Sequence, residues 1–346
     1  MINRGQYQLF ADTQTVYSKR AIDLLAQTTV VDMLGLLTMD WQKLNKWQAD
    51  PETFTQAEFQ KLKNSGIDVF HPAVELDDQD PFAATTDWLR RWNVFLTDQS
   101  QYFVRVDEVG DITRAKQQGK IAVLLGMQNS SHFRTADDVA SFYAMGQRVS
   151  QLTYNSRNAI GCGCVERPDD GLTDYGAEIV AAMNACGMVI DVSHAGEQTT
   201  LDSFEISTKP VLITHSNCSA IVHHPRCKSD RVIRAMAQNG SVMGITAIRP
   251  FVSKRNVVTI EQVLDHYDHV AQLVGIEHVG VGSDLGLEGR DAAGPHHRWR
   301  YDVAGLDHPK RMLDLTEGLV RRGYSNRSIE LVLGGNFQRV LKDTLG

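Results

Sequence analysis

The sequence has little cysteine: five residues, an odd number, scattered over 346 positions. Such a set does not build a disulfide framework, so reduced thiols are expected, as in a cytosolic protein. Cys162 and Cys164 form a C-x-C with no second pair, which argues against a zinc knuckle. Positive charge is not in excess either. Lys and Arg number 35 against 42 Asp and Glu, a formal net charge of -7, so no nucleic-acid surface is indicated. No run approaches the ~18 apolar residues of a membrane span. The opening MINRGQYQLFADTQTVYSKR lacks the apolar core and the cleavage site of a signal peptide. A soluble, cytoplasmic protein without nucleic-acid or membrane partners is therefore expected. Low-complexity linkers, charge blocks and internal repeats are missing too, which favours one continuous domain over residues 1–346. Neither G-x-G-x-x-G nor a P-loop occurs, and no G-x-S-x-G surrounds Ser193 or Ser216, so nucleotide binding and a serine nucleophile elbow have no motif.

What the chain has is a recurring local pattern. Eight short runs rich in Val, Ile and Leu each end near a polar residue and are separated by helix-like segments. They are TTVVDM (28–33), GIDVFH (66–71), KIAVLLGMQ (120–128), VSQLTY (149–154), GMVIDVSH (187–194), PVLITH (210–215), SVMGITA (241–247) and HVGVGSD (278–284). Continuous apolar runs of this length suit strands buried on both faces. Between them, 259–274 has a capping-box pair in Thr259 and Gln262 and an apolar stripe of Val263, Tyr267, Val270 and Val274. The segment 173–187 behaves alike and ends at Gly187, a C-cap residue. Eight strands alternating with helices predict a (β/α)8 TIM-like barrel, with a doubly wound open sheet as the other architecture.

Barrel active sites are built at the C-terminal strand ends. Those ends carry Asp32, His71, Gln128, Tyr154, His194, His215 and Asp284, while the seventh, near Thr246, offers no reactive group. Imidazole and carboxylate converging on one mouth suit a divalent metal. His194 and His215 close consecutive strands, which favours a ligand pair. Asp32 reads equally as an acceptor of backbone amides, and His71, before Pro72, as a turn residue.

GLTDYG (171–176), MNACGMVIDVSHAG (183–196), PVLITHSNCSAI (210–221), HHPRCKSDRVIRAM (223–236), GIEHVGVGSDLG (275–286) and RRGYSNRSIELVLGGNFQRVL (321–341) occur in order. Together they resemble the membrane (renal) dipeptidases, the M19 zinc peptidases of the amidohydrolase-like barrels, over about Thr28 to Leu345. The resemblance implies dipeptide hydrolysis by a water bridging two zinc ions. It assigns His194 and His215 to the second metal, Arg226 to the substrate carboxylate and Asp284 to proton transfer. Tyr154 stands where these enzymes can carry His, and its phenol could still donate to an oxyanion. Members of the family are often dimers, so a homodimer is the assembly implied.

The other half of the family's site is missing. In place of D-G-H-x-D the chain has Asp32-Met33-Leu34-Gly35-Leu36, and in place of the bridging Glu it has Gln128. Leucine offers no donor atom, and Gln only one neutral oxygen. The expectation is a metal-dependent hydrolase of a dipeptide or related small amide. It would hold at most one ion, zinc or another divalent metal, through His194, His215 and Gln128. A chemically altered or non-catalytic barrel that binds a small carboxylate is the alternative. The segment 286–309, with Glu288, His296, His297, Arg298, Trp299 and Arg300, is expected to be a loop over the mouth. Its His pair, and His132, are candidate replacement ligands weighed against chance.

Overall fold

In the computed structural model, residues 17–76, 78–289 and 298–345 are described, with the backbone alone for 7–10 and 13–15. Eight parallel strands form the centre: β1 (Val31–Asp32), β2 (Val69–Phe70), β3 (Ile121–Val123, continued by Gly126–Met127), β4 (Val149–Gln151), β5 (Val189–Asp191), β6 (Ile213–Cys218), β7 (Met243–Ile245) and β8 (Val279–Val281). Each lies in one of the eight apolar runs, with β6 continuing past the end of its own. The register runs Val31 to Val69, Val69 to Ala122, Gly126 to Val149, Val149 to Val189, Ile213 to Met243, Met243 to Val279 and Val281 back to Asp32. A bridge between Asp191 and Leu212 joins β5 to β6 and closes the ring. The closed parallel barrel, rather than an open doubly wound sheet, is what the chain adopts.

The helices begin and end where the sequence places them. Helix Ile260–Val274 starts at the Thr259–Gln262 capping box, with Gln262 Oε1 accepting from Thr259 N at 2.9 Å, and buries Val263, Tyr267 and Val270. Helix Asp174–Cys186 is capped by Thr173 and stops at Gly187, whose φ of 84° suits a residue without Cβ. Short strands also form outside the eight runs. Phe103–Arg105 pairs with Ile121–Val123, and Gly35–Leu36 pairs with Leu285–Gly286 to extend the ladder at the mouth. No described helix is long and apolar enough to cross a membrane.

The side-chain period of two fixes what lies along the axis. Val31, Val69, Ala122, Val149, Val189 and Leu212 share one apolar cluster, sealed by Phe337, Val340 and Leu341 of the C-terminal helix Asn336–Leu345. Two residues further along those strands come Met33, His71, Leu124, Gln151, Asp191 and Thr214, all buried. The barrel is thus apolar at its base and turns polar one layer below the strand ends.

Candidate active site

The polar layer aims the residues above it. Asp191 Oδ1 accepts from Ser193 Oγ (2.5 Å), Ser193 N (3.0 Å) and Thr214 N (3.0 Å), and Oδ2 accepts from Thr214 Oγ1 (2.7 Å). One carboxylate thereby ties the end of β5 to β6. Thr214 has given away its only proton, so its oxygen accepts from His215 Nδ1–H at 2.8 Å. Asn155 Oδ1 likewise accepts from His194 Nδ1–H at 2.8 Å. Both rings are therefore held as Nδ1–H tautomers. Their Nε2 lone pairs face each other at 3.0 Å. Burial first, then the Arg226 charge, holds both imidazoles well below their ordinary protonation range. Two bare, buried lone pairs at that distance repel unless a cation lies against both.

The Arg226 guanidinium, 4% exposed, donates to the carbonyls of Ser193 and of His215 (3.3 Å for the latter). Two of its five N–H groups are thus used in bracing the two His strands. Tyr154 stacks on His194 with ring centroids 4.2 Å apart. Asp284 follows β8 in the left-handed region (φ 59°), its N–H donating to Leu34 O at 2.8 Å. Burial pushes its carboxyl up to about 7 against the opposing pull of Arg226, with Asp32 adding to the rise. Burial, then the Asp284 charge, raises the Tyr154 phenol, and Arg226, Glu75 and Arg300 also act on it. His194, His215, Tyr154, Arg226 and Asp284 are consequently one electrostatic cluster. Gln128 lies past β3. Its Nε2 donates to Ala73 O (2.9 Å), which leaves the amide oxygen as its acceptor.

Strand one contributes no donor. Leu34 and Leu36 are 1% and 8% exposed and belong to the core, so the residues present do not fit a two-ion centre. Among the described residues no group of three His, Cys, Asp or Glu could hold a metal. The donor set fits one ion on the histidine pair, with open positions. Nitrogens bound to one zinc at ~2.0–2.1 Å each lie within about 4 Å of one another, and the pair meets that condition.

Other candidates have structural work. Asp32 accepts from Ser283 N (2.8 Å) and Ser283 Oγ (2.5 Å) and pairs with the fully buried Arg311 at 3.5 Å. His71 Nδ1 donates to Met33 O at 2.6 Å, and its Nε2, without a hydrogen bond, lies against Gly126. His132 is not a replacement ligand. Both its nitrogens are engaged, by Asn129 O and Gln147 Oε1 (3.1 Å each), and its ring packs on Phe133 and Phe142. In the mouth segment Glu288 pairs with Lys43 (3.1 Å) and Thr38, and Arg298–Tyr301 forms a short turn with Trp299 exposed. His296 and His297 lie outside the described residues. Asp191, Thr214, Asn155 and Glu75 do not stand out in the sequence. The first announces itself only as the Asp of DVSH, three residues before His194.

The family model of membrane dipeptidase (peptidase family M19) matches residues 18–345. Dipeptidase tcpJ of Claviceps purpurea is 30% identical over 262 residues, 74% of this chain and 58% of that protein. Dipeptidase verJ of Clonostachys rogersoniana is 33% identical over 237 residues, 68% and 57% of the two. The chain thus spans less than two thirds of the length of these relatives. A crystal structure of an amidohydrolase from Pseudomonas aeruginosa superposes with a TM-score of 0.82 at 29% identity, covering 94% of this chain and 99% of that one.

Proposed function

This chain belongs to the membrane dipeptidase family, and from that premise we propose that it hydrolyses a dipeptide or a related small amide with a single divalent ion. The observation that carries the reading is the pair of bare Nε2 atoms at 3.0 Å, each fixed by a hydrogen bond on its other nitrogen. His194 and His215 would hold the ion, zinc or a neighbour, and the Gln128 amide oxygen is the remaining protein donor. When bound, such an ion lowers the pKa of water and polarises the scissile carbonyl.

The residues of the chain supply the rest. The N–H groups that Arg226 does not commit to backbone carbonyls hold the substrate carboxylate through a charge-assisted fork. Asp284, its carboxyl near 7, takes a proton from the attacking water and returns it to the leaving amine. Tyr154, fixed by stacking on His194, donates its hydroxyl to the developing oxyanion. Amide and water become a carboxylate and an amine.

Elemental analysis of protein purified without chelator, together with turnover of a dipeptide panel, tests this. About one ion per chain, and turnover cut ~10²–10⁴-fold by Asp284→Asn, are expected. No bound metal and no activity rescued by zinc, manganese or cobalt would sink it. The apolar Leu34 and Leu36 favour a second reading, a barrel that binds a small carboxylate without turning it over. Thermal stabilisation by small carboxylates, lost in Arg226→Ala, with no turnover of any dipeptide, would support that reading instead.

A further inference from the structure

Lys228 stands two residues beyond Arg226, in the short strand Cys227–Lys228, whose register sets it against Cys218 of β6. It is buried, and its Nζ contacts are neutral oxygens. It donates to Val192 O (2.8 Å), Ala195 O (2.9 Å) and Thr200 Oγ1 (3.2 Å), which uses all three N–H groups. Burial, and then the neighbouring Arg226, lowers this amine to about 8, with Asp191 and Asp169 only partly offsetting them. A buried ammonium held by neutral groups is costly, and an apolar residue would serve the sheet better if packing were all that mattered. The carbonyls it grips flank His194, and Arg226 takes the carbonyl of Ser193 between them. Backbone bonds from Cys164 N to His194 O (2.8 Å) and from Gly196 N to Cys162 O (2.9 Å) tie the same turn, and the two cationic side chains take the carbonyls these bonds leave. A cleft of about 660 Å³, lined by Cys164, Ala195, Gly196, Ser219, His223 and Lys228 among others, lies behind the turn.

Resting on the single-ion reading, we propose that Lys228 is a positioning residue. It locks the Val192–Ala195 turn so that His194 Nε2 stays opposed to His215 Nε2. It touches neither substrate nor ion. Its effect passes through the backbone of the turn, and Thr200 is part of the same clamp.

The test uses the full chain stripped of metal. Cobalt(II) affinity is measured by competition with a coloured chelator, and the histidine ring signals are followed by NMR of ¹³C-histidine protein without metal. Lys228→Met is expected to bind cobalt about 10-fold more weakly, the scale on which supporting residues act on a metal site. It should shift or double the His194 ring signal and lower kcat with little change in KM. Thr200→Val should move the same readouts in the same direction by a smaller factor, and Thr200→Ser should restore them. Lys116→Met, which breaks a distant pairing with Asp68 and Thr28 O, should move none of them. A folded Lys228→Met protein with wild-type cobalt affinity and ring signals overturns the proposal. Should that variant fail to fold, the Thr200 pair decides by the same measurements. Should the wild type bind no cobalt, the single-ion reading fails by itself, and the ring signals still decide the role of Lys228.

Discussion

Replacing Asp284 with Asn isolates one ionisation. Asn keeps the shape, tolerates the left-handed backbone at φ 59° and retains the N–H donated to Leu34 O. It removes only the charge. The wild-type carboxyl moves from an ordinary 3.8 to about 7 in the folded chain, mainly through burial. At ~1.4 kcal/mol per tenfold change in protonation, that difference amounts to ~4 kcal/mol. The folded state binds this proton more tightly than the unfolded state does. The wild type therefore loses stability as pH rises from about 4 to about 7, and remains at the lower value above that. Urea denaturation of both proteins in chelator, from pH 4.5 to 8.5, measures the effect, because every other titrating group is common to the two. The Asp284→Asn protein is expected to come within ~1 kcal/mol of the wild type near pH 4.5 and to exceed it by ~4 kcal/mol at pH 8.5. The same ionisation makes the base available; a divalent ion on the histidine pair favours the carboxylate, so wild-type turnover should rise below the pH at which the metal-free carboxyl titrates, while the variant loses ~10²–10⁴-fold. A stability difference that is the same at both ends of the pH range would refute the reasoning.

Three further outcomes are expected. A methyl at Gly126 would collide with His71 Nε2, so Gly126→Ala should cost ~1–3 kcal/mol in chemical denaturation, and less in a His71→Ala background. Arg311→Met leaves Asp32 buried and unpaired and should cost ~3–5 kcal/mol, partly recovered by adding Asp32→Asn, as read from denaturation midpoints. The triple change Leu34→His, Leu36→Asp, Gln128→Glu supplies the missing donors, and elemental analysis should then find more metal per chain than in the wild type. Leu36→Asp alone should only destabilise, because it buries a carboxylate without a partner.

The barrel was legible because strands covered on both faces must be apolar throughout, and TTVVDM or PVLITH are hard to place elsewhere. Phe103–Arg105 and the Gly35–Leu36 ladder were not. They are two or three residues long, and only distant pairing makes them strands. His194 and His215 stood out because strand ends converge in this architecture. Their tautomers did not, since those depend on Thr214 and on Asn155, which the chain brings across from the segment after β4. Lys228 and Arg311 were invisible for a general reason. A basic residue in a sequence reads as surface, and its burial is decided by carbonyls far along the chain. His132 shows the converse, a histidine near a strand end absorbed into an aromatic cluster by Phe133 and Phe142.

The bracing of the histidine pair has an evolutionary consequence. Asp191, Ser193, Thr214, Arg226 and Lys228, with Asn155 from the segment after β4, hold the two rings through bonds among β5, β6 and their neighbouring segments. None of these bonds reaches Leu34 or Leu36 on the far side of the mouth. Strand one joins the mouth through backbone bonds, Asp284 N–H to Leu34 O and the Gly35–Leu36 ladder, which an exchange of side chains leaves in place. A lineage can exchange the side chains there, residue by residue, for hydrocarbon without disturbing the alignment of the histidine pair. A partly dismantled centre can then persist as a stable, heritable state, open to selection for a different chemistry.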